Sequence, residues 1–407
     1  MPPHDSPRNP DRSGIRRLAA RLTRPSELTL QRRILRAGVF LVVLIFLGIA
    51  LWPTVKSHLQ SYAVLQLVAG KPLSPQLAAL VTEPIVTTEA DFQTPSGTVR
   101  ARSYLPVNHP NAPGMVVLHG VHHLGIEEPR MRSLATAIAS CGVRVLTPEL
   151  PGIKDYHVDS ASIRTIGEST QWLAKQTGAP VGVLALSFSG GLALVAAADP
   201  AYRPSFRFVF AIGSQDSLPR VAQYFRTGED ARPDGSIEKL AAHEYGPLVL
   251  EYEYIEDYVP APDVPALKAV LRAHLYEDGP AEKLAIAALT PAQVEETKAL
   301  LNASLPATHT LLAASAAKHN AEMVALSPSS KLRTLTTPVY LLHGQGDNII
   351  PAAETLWMAS ELPPHTLKAA LVSPILSHVN FDGGKPTLGD QWRLLHFFAL
   401  VMQAAGD

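Results

Sequence analysis

The segment 181–191, which reads VGVLALSFSGG, constrains the fold of this chain more than any other part of the sequence. Its first six residues predict a buried strand. Ser187 follows at once, with small residues two positions away on either side and a glycine pair at 190–191. This order is typical of a sharp turn that carries a strand into a helix and lifts a serine hydroxyl above a sheet, although Ala185 and Ser189 stand where the usual G-x-S-x-G pattern has glycines.

Strand-like and helix-like segments alternate around this turn. Two strands joined by a turn at 95–97 are predicted at 85–92 and 97–105. Short apolar runs predict further strands at 115–119, 143–148, 181–186, 206–212, 338–343 and 367–372. Helices are predicted between them, at 129–140, 160–176, 190–198, 352–362 and 389–404. Such alternation predicts a mostly parallel sheet with helices on both faces.

The stretch 216–335 interrupts the alternation. It is too long to be a simple connection within a parallel sheet, and its composition indicates helices. Asp263 and Thr290 are plausible helix starts, and Gln293 follows Thr290 at capping-box spacing. We therefore expect a helical cap inserted into the core.

An uncharged apolar run occupies residues 37–55. As a helix it would be roughly 28 Å long, close to the thickness of the hydrocarbon core of a bilayer. Nine arginines against three acidic residues precede it within residues 1–36, which favours a cytoplasmic N-terminus and an extracytoplasmic remainder. A cleaved signal peptide is the rival interpretation, but the preceding segment is long and no clear A-x-A site follows. The sequence therefore predicts an uncleaved single-pass anchor.

These patterns predict six regions along the chain. They are a basic cytoplasmic arm at 1–36, a transmembrane helix at 37–55, a juxtamembrane segment at 56–83, a first core part at 84–215, a helical cap at 216–335 and a second core part at 336–407.

Four motifs carry a resemblance to the α/β-hydrolase superfamily over residues 84–407. They are VVLHGV at 116–121, the turn at Ser187, HGQGDNIIP at 343–351 and SPILSHVNF at 373–381. The resemblance implies that fold, with the cap and the membrane helix as additions. It also implies a nucleophile at Ser187, an acid at Asp347 and a base at His378, with the backbone N–H groups of Val121 and Phe188 forming an oxyanion hole.

The chemistry requires these residue types. A serine hydroxyl is a weak nucleophile, so an imidazole must take its proton and later return it to the leaving group, while a carboxylate orients the imidazole. Two alternatives remain open. Ser189 would restore a glycine at Gly191 if it were the nucleophile, and Asp216 follows an apolar strand and competes for the role of the acid.

The leading hypothesis is a membrane-anchored serine hydrolase that cleaves carboxylic esters or related small acyl compounds through an acyl-enzyme. Other chemistry on the same fold, such as that of peptidases, thioesterases or cofactor-free haloperoxidases, is an alternative, as is a non-catalytic binding module. No cofactor is expected, and no nucleic-acid motif accompanies the basic arm. His119, His122 and His123 lie close together, but the absence of other ligands at recognisable spacing argues against a metal site. The sequence does not indicate an oligomeric state.

Overall fold

The computed structural model describes residues 27–302, 305–378 and 385–406. The chain divides into two compact units, with the boundary after Val55. Most of the predicted basic arm, residues 1–26, lies outside the described residues.

The first unit contains the beginning of helix α1, which extends from Glu27 to Val68 and includes Pro53. Large apolar side chains between residues 39 and 55 are about half exposed or more. Among the described helices, the stretch Arg32–Val68 alone is long and apolar enough to cross a membrane, by length and composition. The helix is longer than the predicted span 37–55, because helix-forming residues continue beyond Val55.

The second unit begins within the same helix. Ser61, Ala63 and Val64 are fully buried there, and the Ser61 hydroxyl donates a hydrogen bond to the carbonyl of Leu395 at 2.7 Å. A short helix, α2 (Pro75–Val81), follows. Much of the expected juxtamembrane segment 56–83 therefore packs against the core of this unit.

The core of the second unit is an eight-stranded sheet. Its strands are β1 (Ile85–Glu89), β4 (Ala101–Pro106), β5 (Gly114–Leu118), β6 (Arg144–Pro148), β7 (Val181–Leu186), β8 (Phe206–Ile212), β11 (Val339–Gly344) and β12 (Leu367–Ser373). Their order in the sheet is β1-β4-β6-β5-β7-β8-β11-β12. All pairs are parallel except β1 with β4 and β4 with β6, so the prediction of a mostly parallel sheet is confirmed.

The first two predicted strands pair differently from the expectation. The segment 85–89 pairs with 101–106, whereas β2 (Phe92–Thr94) and β3 (Gly97–Val99) form a separate two-stranded hairpin. Phe92 is buried in this hairpin, and its ring stacks on Trp172 at a centroid distance of 4.4 Å. This contact explains why the hairpin packs on a helix instead of extending the main sheet.

Helices cover the sheet and create two large apolar clusters within the second unit. The helices of the core are α3 (Pro129–Ser140), α4 (Pro151–Lys154), α5 (Ser160–Thr177), α6 (Phe188–Ala198), α14 (Ala353–Glu361) and α15 (Leu388–Gly406). One cluster involves α5 and α6, and the other involves α3, α15 and the end of α1. The two clusters place the parallel strands between apolar layers, which agrees with their nearly continuous burial.

In the part of the chain that the structure describes, seven helices and one hairpin lie between β8 and β11. The helices are α7 (Leu218–Thr227), α8 (Tyr245–Glu253), α9 (Val264–Leu275), α10 (Gly279–Ala287), α11 (Pro291–Leu300), α12 (Pro306–Lys318) and α13 (Asn320–Leu326). The expected capping box at Thr290 and Gln293 is present. The hairpin of β9 (Glu229–Ala231) and β10 (Ile237–Lys239) was not expected, because three-residue strands of charged composition leave little periodic signal.

Candidate active site

Ser187 occupies the turn between β7 and α6. Its backbone has φ 55° and ψ −135°, a conformation that is rare for a residue other than glycine. The N–H of Ser187 donates to the carbonyl of Ile212 at 2.8 Å, which ties the turn to the neighbouring strand. Only 5% of the residue is exposed. A strained backbone held by a neighbouring strand is typical of functional turns.

The glycine pair behind the serine explains the departure from the usual pattern. A Cβ atom on Gly190 would overlap the side chain of Ser214, and one on Gly191 would overlap the side chain of Gln215. The close approach of helix α6 to the segment that follows β8 therefore falls on these two residues. Ala185 and Ser189 are both completely buried, and their small side chains fit the remaining space.

His378 lies between Ser187 and Asp347. Its Nε2 atom is 2.9 Å from the Ser187 hydroxyl oxygen, and its Nδ1 atom is 2.6 Å from Oδ2 of Asp347. An ionised carboxylate can only accept, so the hydrogen bond requires the ring proton on Nδ1. Nε2 is then free to accept the serine proton, and the structure thus brings together the three side chains named as candidates.

Asp347 is completely buried but well supplied with hydrogen bonds. Its Oδ1 atom accepts from the N–H groups of Ile349 and Ile350 at 3.0 and 2.9 Å. Burial opposes the charge of this carboxylate, but His378 and His343 outweigh that effect, so its pKa is held well below the usual range. The carboxylate remains ionised beside His378 at neutral pH.

The sequence did not single out His343 as a partner of Asp347. Its Nε2 atom donates to the carbonyl of Ile350 at 2.8 Å and lies 3.3 Å from Oδ2 of Asp347, while Nδ1 pairs with the hydroxyl of Thr355 at 2.8 Å. Burial lowers the pKa of His343, but Asp347, the carbonyl of Ile350 and Glu354 together outweigh this effect, so the net shift of the pKa is upward. His343 therefore contacts the same carboxylate oxygen as His378 and helps to hold the acid in place.

Gly344 was also missed as a residue that positions the base. A Cβ atom at this position would overlap the carbonyl of Ser377, the residue directly before His378. The absence of a side chain lets the loop after β12 approach β11 closely. The only feature of the sequence that draws attention to Gly344 is the HG pair at 343–344, and this pair does not indicate a contact with Ser377.

The two alternative residues, Ser189 and Asp216, pair with other groups. Ser189 is completely buried and donates its hydroxyl proton to the carbonyl of His119 at 2.6 Å. Asp216 pairs with Arg220 at 2.7 Å, and its own N–H donates to Glu354. Burial and the charge of Glu354 raise the pKa of Asp216 to about 7. Among the described residues, neither side chain hydrogen-bonds to His378.

The proposed oxyanion amides belong to the loop after β5 and to the start of α6. Phe188 is the first residue of α6, so the helix has no acceptor for its N–H. Within the described ranges, no protein group accepts from the N–H of Val121. Between these positions, a Cβ atom on Gly120 would lie 3.2 Å from the Cβ atom of Ser187, which shows how closely the loop approaches the serine.

The three histidines near this loop differ in role. His119 is buried, donates from Nδ1 to the carbonyl of Gly120 at 2.8 Å and accepts at Nε2 from the N–H of Leu150 at 3.0 Å. Burial lowers its pKa to about 4, so this ring is neutral and structural. His122 and His123 stack at 4.6 Å and line the cavity beside Ser187. No cluster of three metal-ligating side chains occurs in the part of the chain that the structure describes.

Comparison with known proteins gives structural neighbours only. No family model matches the sequence, and no curated protein matches it. Solved structures that are similar include brefeldin A esterase, described as a bacterial homologue of human hormone-sensitive lipase, at 15% identity over 87% of this chain and 85% of that chain, with a TM-score of 0.44. An esterase from Pyrobaculum calidifontis is 16% identical over 86% and 92%, with a TM-score of 0.43. A membrane phospholipase A is 13% identical over 90% and 97%, with a TM-score of 0.40.

The order and direction of the eight strands, together with the strand-to-helix turn at Ser187, define the α/β-hydrolase fold. The predicted mostly parallel sheet with helices on both faces is confirmed, and the described residues include one long apolar helix near the N-terminus. Any assignment of chemistry rests on the side chains of this chain, because the neighbours are distant in sequence.

Proposed function

We propose that this protein is a membrane-anchored serine hydrolase that cleaves carboxylic esters or related small acyl compounds. The observation that carries the proposal is the continuous hydrogen-bonded chain from Ser187 through His378 to Asp347. A buried, ionised acid, a histidine with its second nitrogen aimed at a hydroxyl, and two amides near that hydroxyl supply the groups that acyl transfer needs.

The reaction follows from the protonation states. Nε2 of His378 removes the Ser187 proton as Oγ attacks the substrate carbonyl, and Asp347 stabilises the resulting imidazolium. The N–H groups of Val121 and Phe188 bind the oxyanion of the tetrahedral intermediate. His378 then protonates the departing alcohol, which leaves an acyl group on Ser187. Water, activated by the same imidazole, hydrolyses the acyl-enzyme.

Membrane attachment is the second part of the proposal. It is supported by the length and apolar composition of Arg32–Val68, by the exposure of its apolar side chains and by the excess of arginine before residue 37. This charge distribution favours a cytoplasmic N-terminus and an extracytoplasmic catalytic unit. A reporter fused after residue 407 tests the orientation. Activity of a reporter that works only in the cytoplasm would contradict it.

Labelling by a fluorophosphonate tests the chemistry, because such a probe reacts with an activated serine without requiring the natural substrate. We expect the wild type to be labelled, Ser187→Ala to be unlabelled and Ser189→Ala to be labelled. Circular dichroism should show that both variants are folded. Loss of labelling in Ser189→Ala alone would show that Ser189 is the nucleophile. Absence of labelling in the folded wild type would contradict the proposal of a serine hydrolase.

A further inference from the structure

A cavity of about 290 Å³ opens over Ser187 and His378. This volume is at the lower end of the range for small-molecule sites. The walls of the cavity are of two kinds, and Ser187 and His378 are among the residues that line it.

One side of the cavity is an apolar lobe. The residues that line it belong to one apolar cluster or pack against that cluster, and they include Val68, Met131, Leu134, Ile212, Leu342 and Phe398. These six come from α1, α3, α15 and the ends of β8 and β11. All of the six except Val68 are at most 8% exposed. This lobe is therefore closed and offers apolar contacts to a ligand.

The rest of the wall is mixed: Tyr156, Tyr245 and Leu275 belong to a second apolar cluster or pack against it, and the exposed part of the wall is polar. His122 and His123 are partly exposed, and Arg130 and Glu277 are exposed. An alkyl chain placed here would cover polar groups that hydrogen-bond to water, which costs free energy. Placing a polar leaving group on this side costs less free energy than placing an alkyl chain there, and the leaving group has a path to solvent.

We propose that the apolar lobe is an acyl-chain subsite, so that the preferred substrates are esters of unbranched aliphatic acids of medium length. This inference rests on the proposed acyl transfer at Ser187. The alcohol must take a proton from His378 and depart, which the open side allows. The acyl chain stays attached to Ser187 during the second half of the reaction and therefore occupies the closed side.

Val68 is the residue through which the lobe can be tested. It is the last residue of α1 and lines the cavity, and it is only partly buried, so a change of its size disturbs the core less than a change at Met131 or Leu342. The N-terminal helix thus contributes to the selectivity for chain length. Ala69 is its exposed neighbour outside the cavity and provides a matched control.

The test compares kcat/KM of the full-length protein, in lipid nanodiscs, for the p-nitrophenyl esters of acetate, butyrate, octanoate and laurate. For wild type we expect kcat/KM to rise from acetate to octanoate, by up to about fourfold per buried methylene. Val68→Phe should lower the octanoate-to-acetate ratio about tenfold or more, the equivalent of two excluded methylenes. Val68→Ala should raise the laurate-to-octanoate ratio about fourfold. Ala69→Phe should leave the profile of the wild type unchanged.

Two results would overturn the acyl-chain subsite while the proposed hydrolase stands. One is a flat profile, or the same profile in Val68→Phe and Ala69→Phe, from an enzyme that the fluorophosphonate labels. The other is a response of Val68→Phe to the alcohol length of alkyl acetates instead of the acyl length.

If the wild type is neither labelled nor active, the binding of decanoate, measured by calorimetry, separates the proposed hydrolase reaction from the proposed acyl-chain subsite. Binding that is weakened in Val68→Phe but not in Ala69→Phe would support the lobe as an alkyl-chain site without the proposed reaction. Absence of such binding would overturn both.

Discussion

Two buried carboxylates show how differently the core and the inserted region 216–335 treat the same chemical group. Asp347, after strand β11, accepts two backbone N–H groups and pairs with two histidines, and its pKa is held well below the usual range. Glu251, on α8 of the insertion, is also completely buried, but neither of its oxygens has a partner within the described residues. Burial alone raises the pKa of Glu251 to about 8.

The contrast shows that the environment of a buried acid, and not burial itself, decides its charge. A carboxylate with several donors keeps its charge and can support chemistry on a neighbouring imidazole. One without donors takes up a proton instead, and costs stability whenever the pH forces ionisation. The core thus supplies hydrogen-bond donors to Asp347, the acid that the proposed reaction needs. The insertion instead contains an acid without donors, Glu251, which lowers the stability of the protein.

The largest expected effect comes from neutralising the core acid. Asp347→Asn should reduce the rate constant of fluorophosphonate labelling by about 10³- to 10⁴-fold, because the amide no longer stabilises the imidazolium or selects the Nδ1–H tautomer of His378. Thermal unfolding should show that the variant remains folded. Asp216→Asn is the matched control, and a larger loss of labelling in that variant would transfer the role of the acid to Asp216.

The loop that carries the base is the second way to disturb the core. Gly344→Ala places a Cβ atom against the carbonyl of Ser377, so we expect His378 to shift and labelling to slow by about 10²-fold. Gly346→Ala has no neighbour within 4 Å of the new Cβ atom and should label at the rate of the wild type. Equal rates in the two variants would contradict a positioning role for Gly344.

Much of the core could be predicted from the sequence because its signals are local. The strands at 181–186 and 206–212 and the helix at 129–140 have the predicted bounds, since turn-forming residues delimit short apolar runs or caps there. Ser187, Asp347 and His378 could be grouped because each follows a strand of a mostly parallel sheet, and such ends meet at one edge. Their catalytic roles stay predictions.

The rest depends on contacts between distant parts of the chain. The polar-looking continuation of α1 packs on α15, as the bond from Ser61 to Leu395 shows, and no local pattern contains that information. The same holds for Gly344, whose partner Ser377 lies on another loop. Glu251 begins an acidic and aromatic stretch of the sequence, EYEYIEDY at 251–258, and only the fold shows that it is buried.

Glu251→Gln tests the other half of the comparison through stability. With a usual pKa of 4.5 and a folded-state pKa of about 8, the folded protein keeps a proton that the unfolded chain releases between these pH values. The free energy of unfolding therefore falls as pH rises through this window. Glutamine is neutral in both states, so its advantage should be absent below pH 4.5, grow across the window and be complete above about pH 8.

Denaturant unfolding at pH 5 and pH 9 measures this difference, with the exposed Glu256→Gln as control. We expect Glu251→Gln to be the more stable variant at pH 9 and nearly equal to the wild type at pH 5. A gain of the same size at both pH values would mean that the amide improves packing and that Glu251 is not protonated in the folded state.

The smallest expected effect concerns a neutral hydrogen bond in the well-satisfied core. Ser189→Ala removes the donor to the carbonyl of His119 and leaves that buried oxygen with one partner fewer, which should lower the free energy of unfolding by about 1 to 2 kcal/mol. Because Ser189 makes no contact with His378 among the described hydrogen bonds, the labelling rate should change little. If the labelling rate of Ser189→Ala fell as far as that of Asp347→Asn while its stability was unchanged, Ser189 would belong to the reacting groups. The assignment of Ser187 as the hydroxyl that reacts and of Ser189 as the hydroxyl that supports the turn would then be wrong.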